Sequence, residues 1–476
     1  MASVFVTLCL AATIQVGPTR AITQLSAVNQ ASVNPGDVIE VDGDATYAAV
    51  NWTRSGTQAA PIRIVGLPVN GTRPRIMGGT NTLEVQGDDV IVDGFELTGG
   101  SFRCFFHHAN RVTLRNSVVH DCPRHGVLGA DQGSGSLLME FVEVHHCGGG
   151  TQDHQIYMAT DEVRHQGAVF RMQHCYVHDA NGGNSVKTRA ERNEVYFNWI
   201  EGGLYHELEL IGPDPDGADD AWTEALQRED SDVVGNVLVK TNTFSVVRAG
   251  GDGTGQSQGR YRFVNNTIVV KPGASAVFRL FDGLESVEMH NNVFAVDGSG
   301  GVNMVREVEA DWVGTRLVSG SNNWVTMGST NVPPEWTGTI FGASPQVISL
   351  TTHPRPVAGS PLIDAAATVL MSPARAPFPS PLNAVGFEPP PRTSVSMAAV
   401  RTSVGAPDVG AFEFGVATGG GSETGGGSAT GGSDGATGGG GEPAPAGCSC
   451  AAAPTFELFA FAVMLMRRRR GRERDS

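Results

Sequence analysis

Hydrophobic positions recur along this chain at two periods. Over short segments apolar and polar side chains alternate, and each segment stops at Gly, Asn or Asp, which reads as strand then turn. Over longer distances one phrase returns: Asn116-Ser117-Val118-Val119, Asn198-Trp199-Ile200, Asn236-Val237-Leu238-Val239, Asn266-Thr267-Ile268-Val269, Asn292-Val293-Phe294-Ala295 and Asn323-Trp324-Val325. Weaker copies begin at Gly94, Phe141 and His174, giving spacings of 22, 25, 33, 24, 38, 30, 26 and 31 residues. No copy contains a helix-length stretch at 3.6 spacing, so helical solenoids are excluded. Coils made only of short strands and turns predict a right-handed parallel β-helix of about ten coils, from about residue 34 to 350. The recurrent Asn would stack at one bend and hydrogen-bond along the axis.

Both flanks carry further phrases. Asn34-Pro35-Gly36-Asp37-Val38-Ile39 leads to Ala45-Thr46-Tyr47, and Gly359-Ser360-Pro361-Leu362-Ile363-Asp364 precedes Asp408-Val409-Gly410-Ala411-Phe412-Glu413. With the repeats, these resemble the first coil and the closing segment of the pectate-lyase-like β-helix superfamily. The resemblance covers almost all of residues 30 to 415 and implies an all-β solenoid with a closing segment over 355–415. That superfamily contains polysaccharide lyases, glycoside hydrolases and non-catalytic surface proteins, so activity must be argued from a site.

Composition removes other classes. With 62 Gly, 26 Pro, 17% charged residues and no unbroken apolar run of 18 or more, the chain is neither a coiled coil, a helical bundle nor a polytopic membrane protein. The formal charge is −16, and six Arg against one Glu and one Asp in residues 467–476 leave −20 for the rest, a body that phosphates repel. Nucleic acid is therefore not an expected partner. Residues 1–21, with an apolar stretch from Val4 to Val16 and Thr19-Arg20-Ala21, read as a signal peptide, so the folded domain is expected over 22–416. Residues 417–447 form a Gly/Ser/Thr-rich tether. In 448–476 a Cys448-Ser449-Cys450 motif, an apolar run broken by Pro454 and Glu457, and Arg467 to Arg470 resemble a myxobacterial type of C-terminal sorting signal. That resemblance makes Cys448 and Cys450 the processing site; the alternative is a tail anchor. Both imply an exported monomer on a stalk at a cell surface.

Candidate chemistry comes from aligning coils. Val127, Ile156, Val186, Leu208 and Val246 align as inward positions, so residues one before, one after and three after should face outward. Gln155 and Tyr157, then Ser185, Lys187 and Arg189, then Glu207 and Glu209 would share one face, with Lys187 between Tyr157 and Glu209. The set suits β-elimination from a uronate polymer. Lys187 would be the base, Arg189 the carboxylate clamp and Tyr157 the proton donor. Gln155, Ser185 and Trp222 of the Pro213 to Asp232 insertion would bind sugar, and Glu207 with Glu209 would hold Ca²⁺. The Asn184 to Lys187 segment resembles the Lys-bearing strand of alginate and dermatan-type lyases, without acidic residues just before the Lys. Two other readings stand beside this one: a glycan-binding or adhesin-like surface whose charges form a cross-strand ladder, and a glycoside hydrolase using Glu207 and Glu209.

A second series, Cys104, His125, His154, Asn184 and His206, aligns as inward, and His120, His145 and His178 form a third. Stacked core hydrogen bonding or zinc binding would each account for them. Cys122 and Cys147, in register one coil apart, predict a disulfide, leaving Cys104 and Cys175 as buried thiols.

Overall fold

The computed structural model describes residues 11–226, 228–251, 257–308 and 311–415. The tether and the Cys448 and Cys450 motif lie outside them. The chain forms three long sheets of 13, 12 and 10 strands, here sheets I, II and III, and each coil adds a strand to each in turn. One coil runs through Val169–Gln173, Tyr176–His178 and Val186–Arg189; the next through Arg192–Tyr196, Trp199–Glu201 and Leu208–Ile211. Pairing between these coils is parallel throughout, and the architecture is a right-handed parallel β-helix.

Alternation within the strands builds the lumen. Val195, Val233, Phe263 and Met289 stack from sheet I, Ile200, Leu238, Ile268 and Phe294 from sheet II, and Ile156, Val186, Leu208 and Val247 from sheet III, all buried. Each such side chain contributes about 1.5–3 kcal/mol on burial. The bend between sheets I and II carries the Asn ladder. Asn236 Oδ1 accepts the Asn198 backbone N–H at 2.8 Å and its Nδ2 at 2.9 Å, and Asn266, Asn292 and Asn323 repeat the arrangement. Asn116, Phe141 and His174 belong one position earlier, with Phe197, Asn265, Asn291 and Asn322, and these seven have φ between 48° and 56°. The ladder position on the Asn116 coil is Ser117, whose Oγ accepts the Phe95 N–H.

The solenoid starts before residue 22. Thr13–Val16 is the first strand of sheet I, paired with Val38–Val41, and Ala12 N–H donates to Asp37 Oδ1 at 2.7 Å. Residues before the expected start at 22 thus contribute a strand whose Val16 is fully buried. At the other end Gly359 to Asp364 and Asp408 to Glu413 do meet, through Val409 N–H to Leu362 O and Asp364 N–H to Asp408 Oδ1. Leu362, Val409, Ala411 and Phe412 pack on the outer face of sheet II against Trp199, Val237, Val269 and Val293. Asn265 and Asn291 pin the segment with side-chain donors to Gly410 O and Ala367 O.

The disulfide differs from expectation. Cys104 bonds Cys122, with Cα atoms 6.0 Å apart, while Cys147 and Cys175 are buried thiols. Sheet III pairs Arg103, not Cys104, with His125, so Cys104 turns inward, toward the corner that Cys122 occupies.

Candidate functional site

Within the strands of sheet III the period of two holds. Ile156, Val186 and Leu208 point inward, and Tyr157, Lys187 and Glu209 are register partners on the outer face. Lys187 Nζ lies 3.9 Å from Glu209 Oε2 and 5.0 Å from the centre of the Tyr157 ring. Just before the strands the chain turns the corner from sheet II, and parity reverses. Gln155, Ser185 and Glu207 are fully buried. His154 and Asn184, two before the inward positions, lie outside: the His154 ring is 5.7 Å from that of Tyr157, and Asn184 Nδ2 donates to Glu209 Oε2 at 2.5 Å. Gln155 and Ser185 therefore do not line the face expected to bind sugar.

The same reversal separates the two glutamates. Glu207 accepts from Lys240 Nζ at 3.2 Å, from Gly203 N–H and from Ser185 Oγ at 2.6 Å, with both side chains of the ion pair fully buried. Glu209 accepts from Asn184 and Arg248 and forms an ion pair with Lys187. The two carboxylates thus face different surroundings, Glu207 inside the coil and Glu209 among the outer-face cations. Among the described residues no three His, Cys, Asp or Glu are grouped to hold a metal.

The His series is a hydrogen-bond ladder on the outer face. His154 N–H donates to His125 Nδ1, Asn184 N–H to His154 Nδ1, and His206 N–H to Asn184 Oδ1, at 3.2, 3.0 and 2.9 Å. Backbone donors require Nδ1 of His125 and His154 to be unprotonated. Burial suits this, pushing His125 down to about 4, His154 to about 3 and His206 to about 4. His120, His145 and His178 stack on the outer face of sheet II, with ring centres 5.1 and 5.0 Å apart.

Arg189 braces Tyr157. Its Nε donates to the Tyr157 hydroxyl at 3.1 Å and its Nη1 to Gly212 O at 2.6 Å, and its side chain is only 4% exposed. Burial, with the Asp131 carboxylate adding to it, raises the Tyr157 hydroxyl above its ordinary value and keeps it protonated. For Glu209 burial opposes the charge, but Lys187 and Arg248 outweigh it and hold the carboxyl below its usual range. Trp222 is half-buried with its indole nitrogen turned in, and its insertion is fastened by Gln132 to Ala218 O and Arg164 to Asp219.

The column continues past Glu209. Leu208 pairs with Val247, not Val246, and this one-residue slip had hidden Arg248, the register partner of Glu209. Arg279 and Arg306 follow in line. Arg248 Nη1 donates to Glu209 Oε1 at 2.5 Å, and both Arg248 and Arg279 lie over the Phe281 ring, at 4.2 and 4.6 Å. Val247-Arg248-Ala249, Phe278-Arg279-Leu280 and Val305-Arg306-Glu307 repeat the apolar-then-polar step of Val186-Lys187 and Leu208-Glu209, a signal present in the sequence.

No protein-family model matches the chain, and no curated protein matches it. Among solved structures it is similar to the pectate lyase Pel9A, at 12% identity over 84% of this chain and 96% of that one, with a TM-score of 0.45. An alginate lyase from Paenibacillus sp. str. FPU-7 shares 16% identity over 64% and 97% of the two chains, with a TM-score of 0.40. The PL6 family polysaccharide lyase Pedsa3628 from Pseudopedobacter saltans shares 11% over 69% and 91%, with a TM-score of 0.41. These likenesses concern the coiling of the backbone.

Chemically, the outer face of sheet III offers an amine, a protonated phenol and guanidinium groups along one line. Amine and phenol can exchange protons with a bound ligand, and the guanidinium groups can neutralise its carboxylates.

Proposed function

We propose that this face acts on an acidic polysaccharide by β-elimination at a uronate. The observation that carries the reading is Lys187 held in register between Tyr157 and Glu209, with Arg248 one coil further. Arg248 pairs with the uronate carboxylate, which makes the C5 proton acidic. The Lys187 amine takes that proton; the C5–H electron pair becomes the C4–C5 double bond as the C4–O4 bond breaks. The Tyr157 hydroxyl gives its proton to the departing O4, while Arg189 keeps the phenol in place. No step uses Ca²⁺. The Cys104–Cys122 bond supports an exported protein, since disulfides persist in oxidising compartments.

A panel of uronate polymers tests the reading through the ultraviolet absorbance of the unsaturated product. Absorbance rising with chain cleavage is the expected result. New reducing ends without absorbance would mean hydrolysis, and binding without either would mean a glycan-binding surface. That second reading draws support from the mutual pairing of Lys187, Glu209 and Arg248, which leaves a cross-strand charge ladder even without catalysis.

A further inference from the structure

Arg248, Arg279 and Arg306 stand in register on three consecutive strands, about 4.8 Å apart along the axis. Like charges directly opposite each other on neighbouring strands are unfavourable, and here they occur in a protein of formal charge −16 that has carboxylates to spare. Glu209 neutralises Arg248. Among the described residues, neither Arg279 nor Arg306 has a carboxylate within ion-pairing distance, and the Nε atoms of Arg248 and Arg279 are buried without a hydrogen-bond partner. Burial, and then the charges of Arg248 and Arg306, press the Arg279 value downward, and the more distant Glu209 offsets them only in part. Phe281 supports the first two guanidinium groups from beneath without neutralising them.

We infer that Arg279 and Arg306 are anion subsites for a polyanionic glycan lying parallel to the helix axis, extending from Lys187 toward the C-terminal coils with one carboxylate per guanidinium. The inference rests on the acidic-polysaccharide part of the proposed function and adds the direction of the chain and its minimum length. One anionic group per sugar on an extended uronate polymer falls at a spacing comparable to that of the strands. Each added contact is charge-assisted, and at Arg279 the guanidinium also rests on the Phe281 ring face, so affinity should climb with oligomer length. A short oligomer centred on Lys187 would not reach the last two arginines.

The test measures binding of a uronate trimer and of a long uronate oligomer by calorimetry, in Lys187→Ala protein so that bound polymer is not consumed. The long oligomer should bind at least about tenfold tighter than the trimer. Adding Arg279→Gln and Arg306→Gln should bring that ratio close to one while the trimer affinity stays put. The advantage of the long oligomer should also weaken with added salt in the parent more steeply than in the variant. Melting curves check that the variants fold, as expected for side chains that are half-exposed and exposed. A ratio unchanged by both substitutions, or no binding of any uronate oligomer by the parent, would overturn the inference. Cleavage absent across the panel with the ratio still collapsing would remove the elimination chemistry and leave the subsites standing. Intact cleavage with an unchanged ratio would do the reverse.

Discussion

Lys187 owes its surroundings to the coils on either side: its own strand supplies Arg189, but Tyr157, Glu209 and Arg248 come from three others. Substituting Lys187 by Ala removes the base, and the elimination rate should fall at least about 10²-fold in the absorbance assay. Folding should lose much less than when a buried pair is broken outright, because Glu209 keeps Arg248 and Asn184. A fully active Lys187→Ala protein would reduce the column to a ladder of surface charges. Glu207→Gln is the contrasting case. It leaves the Lys240 charge buried without its carboxylate, and such changes cost about 3–5 kcal/mol, so the melting temperature should drop sharply while Lys187 keeps its neighbours. The placement of Tyr157, Lys187 and Glu209 was legible in the sequence because strand interiors obey a period of two. Gln155, Ser185 and Glu207 were not, because a corner carries no period that a reader of sequence can count through. Arg248 was missed for a smaller reason, since Val246 and Val247 are equally apolar and only the pairing tells which one faces in.

At the scale of the element, the two ladders solve one problem with different side chains. Along the bend between sheets I and II, Asn does the work on coil after coil; along the outer margin of sheet III, His125, His154 and Asn184 share it. The recurring Asn phrase was visible in the sequence, whereas the mixed ladder looked like a metal set because His has both uses. Its chemistry has a consequence for acid stability. The folded imidazoles have values depressed below the ordinary 6.5 or so, so the unfolded chain takes up protons first as the pH falls. Stability should be fully present above about pH 6.5 and decline, by an amount of the order of a few kcal/mol, toward the values near 4 cited for His125 and His206. Asn184 shows that an amide can accept in this column, so His154→Asn should fold normally at neutral pH and lose part of that decline. Denaturant titrations at pH 7 and pH 5 would show it, and an unchanged difference between the two would mean the ladder is not the acid-sensitive element. In the other ladder, Asn236→Ala strands several buried donors and acceptors, each worth about 1–3 kcal/mol, and should destabilise at every pH alike.

The described residues form a stack in which each coil meets its neighbours and few others, and the exceptions are the first strand and the closing segment. Thr13–Val16 pairs with Val38–Val41 at the first coil. A chain beginning at Ile22 would leave the edge of Val38–Asp42 unpaired, and should melt lower and aggregate with concentration, as exposed edges do. The closing segment was legible through its two phrases, although neither shows which face it covers. That face sets a condition on how the protein is made. Coils emerge from the ribosome in the order in which they stack, so each finds a finished strand to pair with. The stripe of Trp199, Val237, Val269 and Val293 has no such luck, because its cover, from Leu362 to Phe412, is synthesised after the last coil. For that interval a nearly complete solenoid carries a bare hydrophobic flank, and whether it stays in solution is settled by how soon the remaining chain arrives.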